Sequence, residues 1–203
     1  MTPHPRLSVI ILAAGASQRL GQPKQLVQYK GQSLIARAIQ SAESLSPHEI
    51  LVITGADVKA VQAEVEHTNA RCVYNPGWSN GMGTSIATGA QSIDDKSQGL
   101  MVLLCDQWRI LPEDLKLLVE EWCSVPNRII CSATENRCGP PVIFPASCLA
   151  ELGVLTGDHG AHSIIDRHRD SVSRVSMKNA AFDLDTPSQL KGLSEYEKLK
   201  TVA

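Results

Sequence analysis

The chain has 203 residues, 43% of them hydrophobic, with a formal net charge of −2 and a pI near 6.3. This length and apolar content predict one folded domain with a hydrophobic core and exclude a disordered chain. The slightly acidic balance argues against a nucleic-acid partner, which calls for a basic surface. No apolar run reaches the roughly 18 residues that a membrane span requires, so we expect a cytoplasmic protein with no membrane association.

Apolar runs alternate with helical patterns along most of the chain, and the run at 99–106 is the most apolar, so we place it centrally. This alternation predicts an α/β fold with a mainly parallel sheet and helices on both faces, a Rossmann-like three-layer sandwich. Strands are predicted at 7–15, 49–55, 71–75 and 99–106, and helices at 33–45, 57–66, 83–93 and 112–123.

The regular alternation of strands and helices ends after a strand at 128–134. This change indicates a subregion boundary near residue 135 within a single domain of residues 1–203. The later segments predict strands at 138–144 and 171–177, short helices at 145–152 and 160–168, and a C-terminal helix. That last helix is expected to be capped by Thr186, to start at Pro187 and to complete a capping box through Gln189.

The six cysteines include no CxxC pair, and zinc-ligand spacing is absent. Cys105 and Cys131 lie within the apolar runs LLCD and IICS. Free cysteine in such surroundings behaves as a small buried hydrophobe. We therefore expect inert thiols in a reducing compartment.

The loop ILAAGASQRLGQPKQL, residues 11–26, follows the first strand and is too small and polar to be core. In parallel sheets, ligands bind beyond the carboxyl ends of strands, and small residues let backbone N–H groups approach an anion. The loop therefore predicts a phosphate site, with a solvated loop that holds two basic residues as the alternative. The small and basic residues concerned are Ala13, Ala14, Gly15, Ser17, Arg19 and Lys24.

The loop contains neither GxxxxGK[ST] nor GxGxxG, but LAAGASQRLGQPKQL resembles the LAAGxSxRMGxPKxL signature of the molybdenum cofactor nucleotidyltransferases, with Leu20 in place of methionine. These are similar to sugar-nucleotide and isoprenoid cytidylyltransferases. Four further segments in order resemble motifs of the same family: NPGWSNGMGTSIATG, LLCDQ, GPPVIF with LTGDHGAHSII, and FDLDTPSQL. The resemblance implies the fold of the nucleotide-diphospho-sugar transferases, with residues 1–134 as the nucleotide-binding half and 135–203 as the acceptor-side half.

The resemblance implies transfer of a nucleoside monophosphate to an acceptor phosphate, which requires charge neutralisation and a divalent metal. Asp106 and Asp185 are implied as joint Mg²⁺ ligands, with Asp183 in reserve. From the residues alone, both aspartates also fit backbone capping. Arg19, Lys24 and Asp106 are the candidate catalytic residues.

On the nucleotide side, Ser85 is a candidate to hydrogen-bond the base or ribose, and Gly81 lets the backbone approach the ring. An ordinary turn into a helix is the alternative, and Trp78 either shapes the pocket or packs in the core. The resemblance implies CTP for the LAAG form and GTP for relatives with LAGG.

On the acceptor side, the sequence departs from the family pattern twice. Trp108 stands where the family commonly has proline, and His162 stands where it often has arginine. Arginine is always charged whereas histidine is largely neutral at pH 7, so the second departure predicts weaker binding of an acceptor phosphate or a different acceptor. Asp158, His159 and His162 are acceptor-binding candidates, and a metal site there is an alternative.

The favoured hypothesis is Mg²⁺-dependent transfer of CMP, with GMP as the alternative, from an NTP to a molybdopterin-type acceptor, with the product passed to a molybdoenzyme. Two alternatives stay open. One keeps the chemistry but changes the acceptor to another phosphorylated metabolite, such as a sugar phosphate. The other is a non-catalytic chaperone that binds molybdenum cofactor without turnover.

Overall fold

We describe the fold from a computed structural model that covers residues 6–135, 137–158 and 160–201. The strands within these ranges are β1 Leu7–Ala13, β2 Gln28–Tyr29, β3 Gln32–Ser33, β4 Glu49–Thr54, β5 Arg71–Tyr74, β6 Gly99–Leu104, β7 Ile129–Ala133, β8 Cys138–Pro145 and β9 Val172–Ser176. The helices are α1 Leu34–Glu43, α2 Val58–Val65, α3 Met82–Ser92, α4 Pro112–Ser124, α5 Leu149–Leu152, α6 His162–Arg167 and α7 Pro187–Thr201.

One sheet contains seven of these strands in the order β5-β4-β1-β6-β8-β7-β9, and β2 and β3 form a separate small hairpin. Strand β8 runs antiparallel to both β6 and β7, whereas every other neighbouring pair in the sheet is parallel. The predicted mainly parallel sheet is therefore confirmed. The most apolar strand, β6, lies in the middle of the order, as its composition predicts.

Helices cover both faces of the sheet, because each central strand is apolar on both sides. Strand β1 shows this best, since all seven of its residues are buried. On one face the strands pack against α1, α2 and α4. On the other face they pack against α3, α5 and α6. This is the three-layer arrangement expected for strands that are buried on both sides.

Besides the hydrophobic cores on the two faces of the sheet, a smaller hydrophobic cluster lies at its carboxyl edge. It packs Leu20 and Val27 from the segment after β1 against Trp108, Leu184 and Leu193. Next to it, Thr186 N–H donates to Gln189 Oε1 over 2.9 Å and Gln189 N–H donates to Thr186 Oγ1 over 3.4 Å. These two bonds form the predicted capping box, which fixes where α7 begins.

The structure corrects the expectation for Cys131, which is joined to Cys138 in a disulfide. The two residues lie on β7 and β8, which pair antiparallel with a register shift after Cys131. This pairing brings their Cα atoms to 5.8 Å, a separation that disulfides require. Within the described residues the other cysteines are free thiols. Cys105 is buried, as expected, and Cys148 is also buried.

Within the described residues, no helix has the length and apolar character needed to cross a membrane. The division of the chain near residue 135 stays a prediction. Strands β7 and β8 stand on either side of that position and pair with each other in the same sheet.

Candidate active site

Two basic and two acidic side chains meet at the carboxyl edge of the sheet. Arg19 Nη2 donates to Asp185 Oδ2 over 3.1 Å. Lys24 Nζ donates to Asp185 Oδ1 over 2.8 Å and also to Asp106 Oδ2. Strands β1 and β6 are parallel neighbours, so the residues that follow them share this edge. Asp185 arrives from far along the chain, in the turn that precedes α7.

Burial differs among these charged groups and shifts their pKa values in different directions. Asp106 is 6% exposed, and this burial raises the pKa of its carboxyl, with smaller contributions in the same direction from Asp185 and Asp183 and an opposing one from Lys24. Burial also acts to lower the pKa of Lys24, but contact with the Asp106 carboxylate outweighs it and raises that pKa. Lys24 is therefore held as an ammonium ion.

Asp185 is more open to solvent than Asp106 and responds differently. Its partial burial acts to raise its pKa, but the hydrogen bond and charge of Lys24, with a further contribution from Arg19, hold the pKa below its usual value. Asp185 is therefore an ionised carboxylate at neutral pH. Together with Asp106 it presents acidic oxygens to one cation position, which the Lys24 ammonium occupies.

The donor set at this position suits a hard divalent cation. Asp106 Oδ1 is buried and has no hydrogen-bond partner among the described residues. A buried carboxylate oxygen without a partner is costly, so this atom has unused capacity for a ligand. Carboxylate oxygens are the ligands that Mg²⁺ prefers. The described residues contain no group of three or more metal-type side chains, so water and phosphate oxygens would complete such a site.

Hydrogen bonds within the loop after β1 fold its end back toward the end of that strand. The buried Gln25 donates from Nε2 to the carbonyl oxygens of Ala13 and Gly15, each over 2.8 Å. Ser17 has a positive φ of 53°, and its Oγ accepts from the backbone N–H of Lys24 over 3.1 Å. The loop therefore returns Lys24 to the end of β1. Ala13 and Ala14 are buried at the loop's start.

The predicted nucleoside-side residues lie at the start of α3. Ser85 is buried, and its Oγ accepts a hydrogen bond from Asn75 Nδ2 over 3.0 Å. Asn75 also donates to Thr84 Oγ1 over 2.9 Å. The sequence analysis did not single out Asn75, although it begins the quoted NPGW motif. A contact between Ser85 and a base stays a prediction.

Gly81 joins this region to the acceptor-side segment. Its φ of 104° is one that side-chain-bearing residues rarely adopt. A Cβ there would also lie 2.4 Å from the carbonyl of Gly157 and 2.5 Å from Asp158 Oδ1. The loop that carries Asp158 therefore packs directly on the turn before α3. Trp78 lies against Gly55 at the end of β4, where a Cβ would be 2.7 Å from its side chain.

Trp108, predicted to shape the acceptor pocket, is 8% exposed and belongs to the cluster beside α7. Its ring packs edge-on against Tyr29 and Tyr196, with ring centroids 5.2 and 5.3 Å apart. Such packing between aromatic rings stabilises the cluster. A contact between Trp108 and an acceptor stays a prediction.

The residue after Trp108 strengthens this packing. The Arg109 guanidinium carbon lies 3.6 Å from the ring centroid of Phe182 and 4.3 Å from that of Tyr196. Such stacking of a cation on aromatic faces is favourable. This stacking joins the turn after Asp106 to the segment that carries Asp185. It therefore helps to keep the two carboxylates close to each other.

The predicted acceptor-side histidines are only partly described. His159 lies outside the described residues. His162 is exposed at the start of α6, and its Cε1 would be 3.5 Å from a Cβ at Gly139. Gln107, next to Asp106, donates from Nε2 to the carbonyl oxygens of Pro140 and Ala180, over 2.9 and 3.0 Å. The start of β8 is therefore bonded to the Asp106 turn.

A basic loop after β1 that faces paired carboxylates at the edge of a mainly parallel sheet defines an enzyme that binds phosphorylated nucleotides. Residues 9–172 match the family described as the MobA-like NTP transferase domain. The chain belongs to this family and is a nucleotidyltransferase.

Two relatives resemble the chain over nearly its whole length. Nicotine blue oxidoreductase of Paenarthrobacter nicotinovorans is 30% identical over 93% of this chain and 97% of its own. The purine catabolism protein PucB of Bacillus subtilis (strain 168) is 26% identical over 91% and 94%.

Solved structures share the fold. The crystal structure of Rv0371c from Mycobacterium tuberculosis H37Rv superposes with a TM-score of 0.80 at 22% identity, over 95% of this chain and 99% of that one. The same protein in complex with manganese gives a TM-score of 0.77 at 20% identity, over 94% and 98%.

Proposed function

We propose that the chain transfers CMP from CTP to the phosphate of a molybdopterin-type acceptor and releases pyrophosphate. The observation that supports this most directly is the Lys24 ammonium held between Asp106 and Asp185, beside the phosphate-binding loop. One cation and two carboxylates lie together at this point, which suits both neutralisation of a phosphate and binding of a divalent metal. Both are needed when one anion attacks another.

In the proposed reaction, an oxygen of the acceptor phosphate attacks the α-phosphorus of the nucleotide. A new P–O–P bond forms, the bond between the α-phosphorus and the oxygen that bridges to the β-phosphorus breaks, and pyrophosphate leaves. The protein contributes positioning and charge neutralisation and forms no covalent bond itself. The exposed Arg19 and the more buried Lys24 neutralise the triphosphate, and phosphate oxygens compete with the two carboxylates for the Lys24 ammonium.

We propose Mg²⁺ as the cofactor, held by Asp106 and Asp185. When bound, it would polarise the phosphoryl group and neutralise developing charge. The unpartnered Asp106 Oδ1 supports this assignment, as does the manganese complex of a protein with the same fold. Asp183, whose charge contributes to the raised pKa of Asp106, remains the reserve ligand.

The choice of CTP rests on Ala14, since the family resemblance associates the LAAG form with CTP and LAGG with GTP. The choice of a molybdopterin-type acceptor, and of a molybdoenzyme as the recipient of the product, rests on the same resemblance. Calorimetry with CTP, GTP, ATP and UTP in the presence of Mg²⁺ tests the first choice. We expect CTP to bind at least tenfold more tightly than GTP.

The transfer itself is tested by pyrophosphate release with CTP, Mg²⁺ and molybdenum cofactor, with the product mass determined in the same samples. Growth of a product heavier by one CMP supports the proposal. Absence of pyrophosphate release with every NTP would refute it. Release with a sugar phosphate but not with molybdenum cofactor would favour the alternative acceptor.

Two other functions predict different outcomes in the same assay. A chaperone for the cofactor would bind it tightly, show no turnover and be unaffected by Asp106→Ala. The similarity to nicotine blue oxidoreductase over nearly the full length makes a redox reaction the second candidate. That candidate predicts a redox change in its substrate without consumption of any NTP.

A further inference from the structure

A polar cavity of about 290 Å³ opens where α6 covers strands β8, β7 and β9. Three different parts of the chain meet around it: the segment before β8, the end of α6 with the turn that follows, and β9. Its lining residues are Arg137, Cys138, His162, Ile165, Asp166, Arg169, Val172 and Arg174. This volume lies at the lower end of the range of about 300–1,000 Å³ that is usual for ligand pockets, so the cavity suits a small molecule or one end group of a larger one.

The charge of this cavity is strongly positive. It presents the guanidinium groups of Arg137, Arg169 and Arg174 against the single carboxylate of Asp166. Within the described ranges, none of these three guanidinium groups forms a hydrogen bond or an ion pair. Two other arginines nearby behave differently: Arg128 donates to the carbonyl oxygen of Val172 over 2.9 Å, and Arg167 pairs with Glu151.

The arrangement of polar and apolar groups indicates what the cavity binds. Ile165 and Val172 belong to the core beneath it, so its floor is apolar while its rim carries the arginines. A guanidinium group is a planar fork that matches the oxygens of phosphate, sulfate or carboxylate. Guanidinium groups from separate elements around one concave space suit a small oxyanion carried on a larger, partly apolar molecule.

The start of β8 contacts both this cavity and the turn that carries Asp106. His162 lines the cavity and lies against Gly139. The next residue, Pro140, accepts the hydrogen bond from Gln107, which follows Asp106 in the chain. The backbone of Gly139 and Pro140 therefore contacts both places.

The nucleotide itself cannot supply the anion for this cavity. In the sheet order, β9 lies four strands from β1, which corresponds to roughly 19 Å at about 4.8 Å per strand. A triphosphate bound at the loop after β1 would not reach across that distance. The strands in between carry Asp106 and the start of β8, so the cavity lies on the side from which the acceptor must approach.

We propose that the Arg137–Arg169–Arg174 cavity is an oxyanion site that binds a second anionic group of the acceptor, separate from the phosphate that attacks CTP. The assignment to an acceptor rests on the proposed transfer function, whereas the binding of an oxyanion does not. This site supplies charge on the acceptor side, where the family's arginine is replaced by His162.

The decisive experiment compares wild type with Arg137→Gln, Arg174→Gln and the double variant. All of these positions are exposed, so the variants should keep the wild-type melting temperature. Arg167→Gln, on the same helix α6 but paired with Glu151, is the matched control. With CTP saturating, we expect the KM for the acceptor to rise about tenfold in each single variant and further in the double variant. The KM for CTP should stay within twofold throughout.

A second readout does not depend on transfer. Calorimetric titration with sulfate, phosphate and acetate in turn should show an oxyanion site that the double variant loses and Arg167→Gln keeps. A stronger response to sulfate and phosphate than to acetate would identify the group as a tetrahedral oxyanion, and the reverse order would identify it as a carboxylate.

The two readouts separate the possible failures. If the double variant binds all three anions as wild type does, the oxyanion site is refuted. If the anion site is present but wild type transfers no nucleotide, the proposed function and the acceptor assignment fail together while the oxyanion site stands. An unchanged acceptor KM in the double variant refutes the acceptor assignment alone.

Discussion

The molecule carries two clusters of basic side chains that differ in how their charge is balanced. At the first, Lys24 is paired with the buried Asp106 and with Asp185, and the exposed Arg19 is also paired with Asp185. At the second, the arginines around the α6 cavity have no such partners among the described residues.

A cluster whose charges are paired within the protein is part of the folded structure before any ligand binds. A cluster without counter-charges contributes little to folding and depends on a ligand for neutralisation. Substitutions should therefore affect stability and chemistry at the first cluster but only binding at the second.

The largest effect is expected for Asp106→Asn, which removes the buried carboxylate from the first cluster. Loss of a metal ligand and of the charge that orients Lys24 should lower the rate of pyrophosphate release about 1,000-fold. The measurement is the initial rate at saturating CTP and Mg²⁺. Asp183→Asn is the matched control and should keep at least one third of the activity. Retention of more than a tenth of the activity by Asp106→Asn would show that the paired carboxylates are structural.

The next effect tests whether the first cluster stabilises the fold. Lys24→Met leaves Asp106 buried without its ammonium partner, and removal of one member of such a pair costs about 3 kcal/mol. We expect a loss of that order in the free energy of unfolding in urea. The double variant Lys24→Met/Asp106→Asn should regain at least half of it, because no buried charge is left unpaired. If the losses of unfolding free energy from the two single substitutions simply add in the double variant, the pairing of Lys24 with Asp106 does not stabilise the fold.

A third substitution tests the contact between the nucleotide side and the segment that leads into α6. A Cβ at Gly83 would lie 2.7 Å from the carbonyl oxygen of Thr156, so Gly83→Ala should force the two segments apart at a cost of about 1–3 kcal/mol. Gly192 in α7 has nothing within 4 Å of such an atom. Gly192→Ala should instead stabilise the protein by up to about 1 kcal/mol. Thermal unfolding of both variants measures the difference, and equal effects would contradict the close packing.

A smaller effect is expected at Arg109, which holds the segment behind the first cluster. Lysine keeps the charge but loses the flat stacking on Phe182 and Tyr196, so Arg109→Lys should cost about 1 kcal/mol. Because this packing positions Asp185, the variant should also need a higher Mg²⁺ concentration for half-maximal activity. Titration of activity with Mg²⁺ measures this requirement. An unchanged requirement would show that the packing of Arg109 does not position Asp185.

The smallest effect is expected for the ion pairs of Glu151, which lie beside the second cluster. The hydrogen bond from His168 and the charge of Arg167 lower the pKa of Glu151. Because the folded-state value is depressed, this stabilisation is present above the ordinary glutamate pKa and is lost as the pH falls through the lower value. Glu151→Gln should cost less than about 1 kcal/mol at pH 7, and this cost should shrink as the pH falls below the ordinary glutamate pKa. A cost that does not change as the solution is acidified would mean that packing is responsible.

Much of the fold could be predicted because it depends on local periodicity. Apolar runs and helical spacing place β1, β4, β6 and α1 to within two residues of their ends in the structure. Arg19, Lys24 and Asp106 of the first cluster were also predictable from strand order, whereas Asp185 follows neither of these strands and was implied only by the family resemblance. Parallel neighbouring strands present their carboxyl ends at the same edge, so motifs that follow β1 and β6 must meet there.

What could not be predicted depends on contacts between distant segments. Cys131 and Cys138 are joined because β7 and β8 pair with a particular register, which their spacing does not reveal. Trp108 is buried because α7 returns to cover it. The Asn75 contact with Ser85 and the convergence of three arginines on the α6 cavity likewise require the tertiary structure.

The two hydrogen bonds from Gln25 to the carbonyl oxygens of Ala13 and Gly15 have a consequence for affinity. They fix the conformation of the loop after β1 when the chain folds, so the entropy of ordering that segment is lost before the nucleotide arrives. Association then avoids a cost that a disordered loop would impose. The loop is thus preorganised for the proposed triphosphate ligand. The entropic cost of ordering it lowers the free energy of folding and does not weaken ligand binding.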